Sequence, residues 1–279
     1  MITFVKTTFE KFVRLLFSFL PFPLQLSIRN NFDIVKKFDY KKKNIFLVVD
    51  SPIEYEFRLN SCLHEPETVE WIEKYIKKNE TVFDVGANIG AYSLIVAKYN
   101  NGSNHIYSFE PNFTSYNKLC KNIILNKCEG CIFPFQIALS DKYCIDNLNY
   151  SSLETGSAYH TLGINKFFND EPKYKQQTIV YSIDKFTEDF NIPDPQHIKI
   201  DVDGIEYEIL KGAKKTILKK SFRSLNVEID ENSENCKKII KYVESLGLIF
   251  SKKYTDLNAG DPEADKFKIY NYIFIKNNI

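Results

Sequence analysis

The sequence carries almost no net charge. Thirty-seven basic side chains face thirty-six acidic ones, a formal +1 at pH 7. A general nucleic-acid binder shows a basic excess, so that class is excluded. Glycine is scarce, with ten in 279 residues, and no internal repeat or low-complexity linker occurs, so collagen-like and disordered chains are excluded too. Long uncharged apolar runs are missing. The apolar stretch near the start is short and is broken by Pro21 and Pro23, which rules out a membrane-spanning helix there. No small-residue cleavage site follows it, so it does not read as a signal peptide. What is present is 44% hydrophobic and 26% charged, the balance of a globular chain of one large or two small domains.

Six cysteines occur, at Cys62, Cys120, Cys128, Cys131, Cys144 and Cys236. A chain this long without a secretory leader does not need a disulfide framework. Cys128-Glu-Gly-Cys131 is a C-x-x-C pair, but zinc needs two further ligands. Cys120 falls in a helical pattern and Cys144 lies beyond an apolar strand, so reduced structural thiols and a cytoplasmic location are expected. The charge is unevenly spread. Residues 1–43 hold nine basic and three acidic side chains, a net +6 that leaves −5 for the rest.

Thr7-x-x-Glu10 fits a capping box. Phe9, Phe12, Val13, Leu16 and Leu20 follow helical spacing, with Lys11, Arg14 and Ser18 on the other side, so an amphipathic helix is expected over Thr7–Leu20. Ile45–Val49 and Ile53–Leu59, joined through Ser51-Pro52, read as a β-hairpin. Helix, basic segment and hairpin form an N-terminal extension, residues 1–61. A helix is expected over Thr68–Lys77. From residue 81 the pattern alternates. Strands are expected at Thr81–Val85, His105–Phe109, Ile132–Leu139, Ile198–Val202 and Arg223–Ile229, and helices at Ile89–Lys98, Asn112–Asn126, Ile205–Lys211 and Glu234–Leu246. That order predicts a mostly parallel sheet covered on both faces, in one domain over residues 62–279. The final strands, Leu248–Tyr254 and Lys268–Ile275, have no helix between them, so one runs antiparallel. Residues 146–181 read as an irregular stretch with short strands at each end, and within it residues 151–177, rich in Gly, Ser, Asn and aromatics, read as a long functional loop. Four N-x-S/T sequons, at Asn79, Asn101, Asn112 and Asn149, read as chance in so Asn-rich a chain.

Asp84-Val-Gly86-Ala87-Asn88-Ile-Gly90 sits at a strand-to-helix junction. Glycines there let the backbone turn sharply and approach a ligand. The third glycine of a dinucleotide fingerprint is missing, and an acid precedes the first glycine. A pyrophosphate would be repelled by Asp84, whereas a ligand with a positive group, such as S-adenosylmethionine, suits it. Glu110, twenty-six residues after Asp84, ends the next strand, where a carboxylate accepts from both hydroxyls of a ribose. Asp201 and Asp203 close the fourth strand, beyond whose carboxyl end ligands bind in such sheets. Lys199 shares a strand face with Asp201. For Asp203 a helix-capping role stands level with a site role. His160 reads first as a solvated loop residue.

These segments together resemble the FkbM family of S-adenosylmethionine-dependent methyltransferases. The matching pieces are Phe83 to Ser93, Ser108-Phe-Glu-Pro111, Asn122-x-x-x-Asn126, Ala138-Leu-Ser-Asp141, Ile198 to Glu206, Leu210-Lys-Gly-Ala213 and the lead-in Glu65-Pro-Glu-Thr68. They cover roughly residues 62–254. The resemblance implies a Rossmann-like seven-stranded methyltransferase fold. It implies that Gly86 and Gly90, with Ala87 and Asn88 between them, line the methionine part of the cofactor. Glu110 would hold the ribose, and Ala138 and Leu139 would approach the adenine. It also implies methyl transfer to a hydroxyl oxygen, often of a sugar or polyketide-like acceptor. The family usually carries Glu where this chain has Asp203.

The reading is therefore an O-methyltransferase with Asp201, Asp203 and Lys199 at the reacting end. Asp201 is expected to act as a metal-free base, in preference to joining Glu228 or Asp230 around Mg²⁺. The acceptor is expected to be a small molecule or glycan. A nicotinamide oxidoreductase and a silent glycan- or membrane-binding protein on the same scaffold are the alternatives. For the basic, Phe-rich segment 1–43, three partners suit: an anionic membrane surface, the catalytic domain itself, or a second copy of the chain.

Overall fold

The computed structural model describes residues 2–150, 152–157, 160–163, 172–253 and 268–276. Helix α1, Ile2–Ser18, begins ahead of Thr7, so the expected capping box lies inside the helix and not at its start. Pro21 stops it, and with Pro23 it opens α2, Phe22–Asn31, because proline is tolerated in a first turn but not within one.

The expected hairpin is corrected. Strand β1, Val35–Lys37, pairs antiparallel with β2, Phe46–Val48. The second predicted strand is helical instead: α3, Pro52–Glu56, is followed by a 3₁₀ turn at Arg58–Asn60. Alternating Ile53, Tyr55, Phe57 and Leu59 imitate a strand, but the cap chemistry prevails. The Ser51 hydroxyl accepts from Glu54 N at 3.1 Å, and Glu54 Oε2 accepts from Ser51 N at 3.2 Å, with Pro52 in the first turn. Two helices, α4 (Ser61–His64) and α5 (Pro66–Tyr75), lead into the sheet.

Strand β3 (Thr81–Val85), α6 (Ala91–Tyr99), β4 (His105–Phe109), α7 (Phe113–Leu125) and β5 (Ile132–Phe135) follow in alternation. The single strand expected over Ile132–Leu139 breaks at this point. Ala138–Leu139, β6, joins a second, four-stranded sheet with β7 (Cys144–Tyr150), β8 (His160–Leu162) and β9 (Tyr174–Tyr181). Within the long loop expected over 151–177, residues 151, 158–159 and 164–171 lie outside the described residues. Then come α8 (Ile183–Asp189), β10 (His197–Ile200), α9 (Glu206–Gly212), α10 (Lys214–Leu218), β11 (Ser224–Asp230), α11 (Asn235–Ser245), β12 (Leu248–Lys253) and β13 (Ile269–Lys276). The connection 254–267, with the expected strand end at Tyr254, is outside the described residues.

The main sheet runs β12-β13-β11-β10-β3-β4-β5. Its inner strands are parallel, and β13 lies antiparallel to both β11 and β12. The alternation predicts the mostly parallel sheet with an antiparallel final strand, the family resemblance implies its seven-stranded Rossmann-like form, and both are present. One apolar layer, around Trp71, Ile72, Leu94 and Ile95, fills one face, and a second, around Phe83, Phe109, Phe186 and Leu225, fills the other. Asn112 and Asn149, two of the sequons, are fully buried, which is incompatible with a glycan on the folded chain.

The extension is fastened to this body by an ion pair. Lys118 on α7 is 2% exposed; it bonds the Asp50 carboxylate and lies 3.7 Å from Glu54, which is 0% exposed. Removing one partner of a buried pair strands the other charge. Lys118→Met is expected to destabilise by about 3–5 kcal/mol in urea unfolding. The double variant with Glu54→Gln should recover part of that loss, and equal stability of wild type and Lys118→Met would show that the pair fastens nothing.

Candidate functional site

The parallel strands β3, β4, β10 and β11 end on one side of the sheet, and a cleft opens beyond them. Its floor comes from Gly86, Asn88, Glu110, Asp201, Asp203 and Glu228, and its roof from Ile137, Ala138, Leu139, Leu148, His160 and Leu162 of the second sheet. Arg58 and Glu65 of the N-terminal segment close it.

The turn after β3 holds three left-handed residues, Gly86 (φ +80°), Asn88 (φ +48°) and Gly90 (φ +90°). Asn tolerates this region and glycine favours it. A Cβ on Gly86 would stand 1.8 Å from the carbonyl oxygen of Asp201, so glycine is required where the turn crosses the end of β10. At Gly90 the obstacle is Leu119 Cδ1 at 2.6 Å, a packing contact with α7 away from the cleft. Gly86 and Asn88 line the cleft; Ala87 and Gly90 are buried behind them.

Asp84 also lies behind the turn, 3% exposed, where its Oδ2 accepts from the Ser93 hydroxyl at 2.5 Å. Burial raises its pKa, opposed by Lys199. The positive charge it faces is thus supplied by the protein. Lys199 is buried, with Nζ 2.5 Å from Asp201 Oδ2 and 4.7 Å from the centre of the Tyr92 ring. Burial works against its charge, but Asp201, Asp84 and Glu65 outweigh it and hold the ammonium above its usual range.

Glu110 is buried at the end of β4, with Oε2 accepting from Asn88 N and Oε1 from Asn112 N, both at 2.8 Å. Burial pushes its carboxyl up to about 7 against those bonds. Glu65, half-buried, is pushed up to about 7 by burial and then by the charge of Asp201. Glu228 is driven well above the carboxylate range by burial and by Asp201, Glu65 and Asp203. Asp230 is turned away, its Oδ1 accepting from Asn232 N at 2.8 Å.

His160 is not the solvated loop residue expected. Its backbone N–H donates to Asp203 Oδ2 at 2.8 Å, so Asp203 ties the roof to the end of β10. The helix that follows, Glu206–Gly212, has Ile205 at its N-cap and no side-chain cap, so Asp203 does not cap it. The Asn112 oxygen accepts from Thr114 N and Ser115 N, which leaves its amide to donate to His160 Nε2 at 2.9 Å. Nε2 is therefore the unprotonated nitrogen. Burial, then the Arg58 charge, lowers the ring to about 4, so it is neutral. The roof is also bound to the extension. Arg58 Nε donates to Gly156 O and the Ser51 hydroxyl to Thr155 O, both at 2.8 Å, and Asn88 Nδ2 donates to Ser157 O at 3.1 Å. Arg58 and Ser157 carry no signal in the sequence. Glu65 stands in the Glu65-Pro-Glu-Thr68 lead-in, where nothing in the spacing assigns it a role.

A cleft with an acidic floor over the carboxyl ends of a doubly covered parallel sheet is the ligand-binding place of a Rossmann-like fold. The family model described as a methyltransferase FkbM domain matches residues 84–250, and the chain belongs to that family. Hexuronic acid methyltransferase AglP of Haloferax volcanii is 22% identical over 209 residues, 75% of this chain and 79% of that protein. The crystal structure of a methyltransferase FkbM from Methylobacillus flagellatus shares the fold, with a TM-score of 0.50 at 14% identity over 72% of this chain. This chain spans 44% of that longer one. The protein is a methyltransferase.

The raised carboxyl of Glu110 has a measurable sign. Its folded pKa of about 7 exceeds the ordinary 4.5, so the stability it contributes is full below about pH 4.5 and is lost as pH rises through about 7. Relative to Glu110→Gln, the wild type without ligand should therefore lose stability steadily between about pH 5 and 8 in urea unfolding. A flat or rising difference would contradict an ionisation forced on a buried carboxyl.

Proposed function

We propose that the protein is an S-adenosylmethionine-dependent O-methyltransferase whose acceptor is a hydroxyl of a sugar, glycan or related natural product. One observation carries the reading: Glu110, fixed by two backbone N–H groups, stands at one end of a cleft with Asp201 on the same floor. The residues fit the cofactor. Glu110 keeps lone pairs for two ribose hydroxyls. Ile137, Ala138 and Leu139 offer an apolar wall for adenine. Asn88 Oδ1 is buried without a partner, an acceptor left for a ligand to satisfy. The acidic floor suits a ligand bearing ammonium and sulfonium groups. When bound, the cofactor supplies an electrophilic methyl group.

Asp201 takes the hydroxyl proton, and Lys199, bonded to its Oδ2, holds it in place. A general base adds about 10²–10⁴-fold, and holding the partners in line adds more. The metal-free reading is favoured because the buried Lys199 ammonium, 2.5 Å from Asp201 Oδ2, already sets a positive charge where Mg²⁺ would sit and would repel it. The hexuronic acid acceptor named for AglP supports a glycan acceptor here, and uronic-acid oligosaccharides are the first acceptors to test.

Asp201→Asn should cut turnover of such an acceptor by about 10²-fold while S-adenosylhomocysteine still binds. Wild-type turnover in this variant would reduce Asp201 to a structural residue. EDTA should leave wild-type activity intact; loss restored by Mg²⁺ would replace the base with a metal. Glu110→Ala should weaken S-adenosylhomocysteine at least about tenfold, because a charged acceptor of two hydrogen bonds is lost.

A further inference from the structure

We propose that the N-terminal helices dock the enzyme on an anionic membrane surface. On α1, Phe9, Phe12 and Leu16 are more than half exposed, and Phe19 just beyond it is 77% exposed. Phe22 on α2 and Phe32 after it are 68% and 74% exposed. Packing of this face on the chain's own catalytic domain, one of the three sequence-level readings, does not occur among the described residues. Isolated exposed apolar side chains are ordinary, but a contiguous helical set of this size marks an interaction surface.

Charge decides the occupant. Residues 1–43 carry +6 while the rest of the chain carries −5. Lys11, Arg14, Lys36, Lys37 and Lys41 are exposed and form no ion pair among the described residues. A second copy would bring the same +6 against itself. An anionic lipid surface attracts it, with about 1 kcal/mol per basic group near the headgroups, and the phenylalanines insert at the acyl boundary. No helix of the described residues is long and apolar enough to cross a membrane, so the mode is docking and not spanning. This inference is independent of the cofactor reading. It would bring the cleft to acceptors carried at a lipid surface.

The test is co-sedimentation of the full chain with vesicles of phosphatidylcholine alone and of phosphatidylcholine mixed equally with phosphatidylglycerol. Partitioning should be at least about tenfold stronger on the anionic vesicles and should fall with added salt. The Lys36→Glu/Lys37→Glu variant and the Phe12→Asp/Leu16→Asp variant should each lose about tenfold or more. All three proteins should keep the same thermal unfolding midpoint, which separates lost docking from lost folding. Equal recovery on both vesicle types would overturn the proposal. So would a concentration-dependent dimer in sedimentation that Phe12→Asp/Leu16→Asp abolishes, with no vesicle binding by the wild type; the face would then belong to a second copy.

Discussion

The buried ammonium of Lys199 is the constraint on which the site depends. Asp84, Glu65 and Asp201 all raise its pKa, and it in turn lowers the cost of the charge on Glu65, Glu228 and Asp84. Without it these carboxyls would share a poorly solvated floor with no counter-charge, and like charges at such range repel by several kcal/mol. Glu65, Glu228 and Asp84 would then take up protons still more readily, and the carboxylate of Asp201 would lose the cation that positions it. A buried ion pair seldom adds net stability, so its place here is best explained by the chemistry it permits.

The rest of the cleft is set mainly by backbone. Gly86 lets the turn after β3 touch the carbonyl of Asp201, so the end of β10 and the glycine turn are packed directly on each other. Glu110 joins the same turn to the start of α7 through the N–H groups of Asn88 and Asn112. Such contacts depend on few side chains. The roof behaves differently. It is held by side chains from the extension, Ser51 and Arg58, and by Asp203 through His160. Acceptor choice is therefore expected to reside in the part of the roof held by the extension, around His160.

Much of this was legible in the residues. The strand-helix alternation from residue 81 follows from apolar periodicity. The turn at Gly86 and the acids at 110 and 201 follow from their places at strand ends. Three things were hidden. The helix at Pro52–Glu56 is masked because its apolar spacing imitates a strand, although Ser51 and Glu54 already spell a cap. Short strands at the two ends of residues 146–181 were expected, but their assembly with Ala138–Leu139 into a second sheet was not legible, because nothing in local periodicity records which strands pair. The helices at Ile183–Asp189 and Lys214–Leu218 are too short for a helical period to show. Site residues brought in from the extension and the loop, Arg58, Glu65, Ser157 and His160, converge only through tertiary structure.

The proposed cofactor site is tested most directly by calorimetric titration of the full chain with S-adenosylhomocysteine and, separately, with NAD. The expected result is saturable binding of S-adenosylhomocysteine at one site per chain and none of NAD. At pH 7 it should be accompanied by proton release, as Glu110 ionises to accept the ribose hydroxyls. Binding of NAD in preference, or of neither, would contradict the assignment of the cleft.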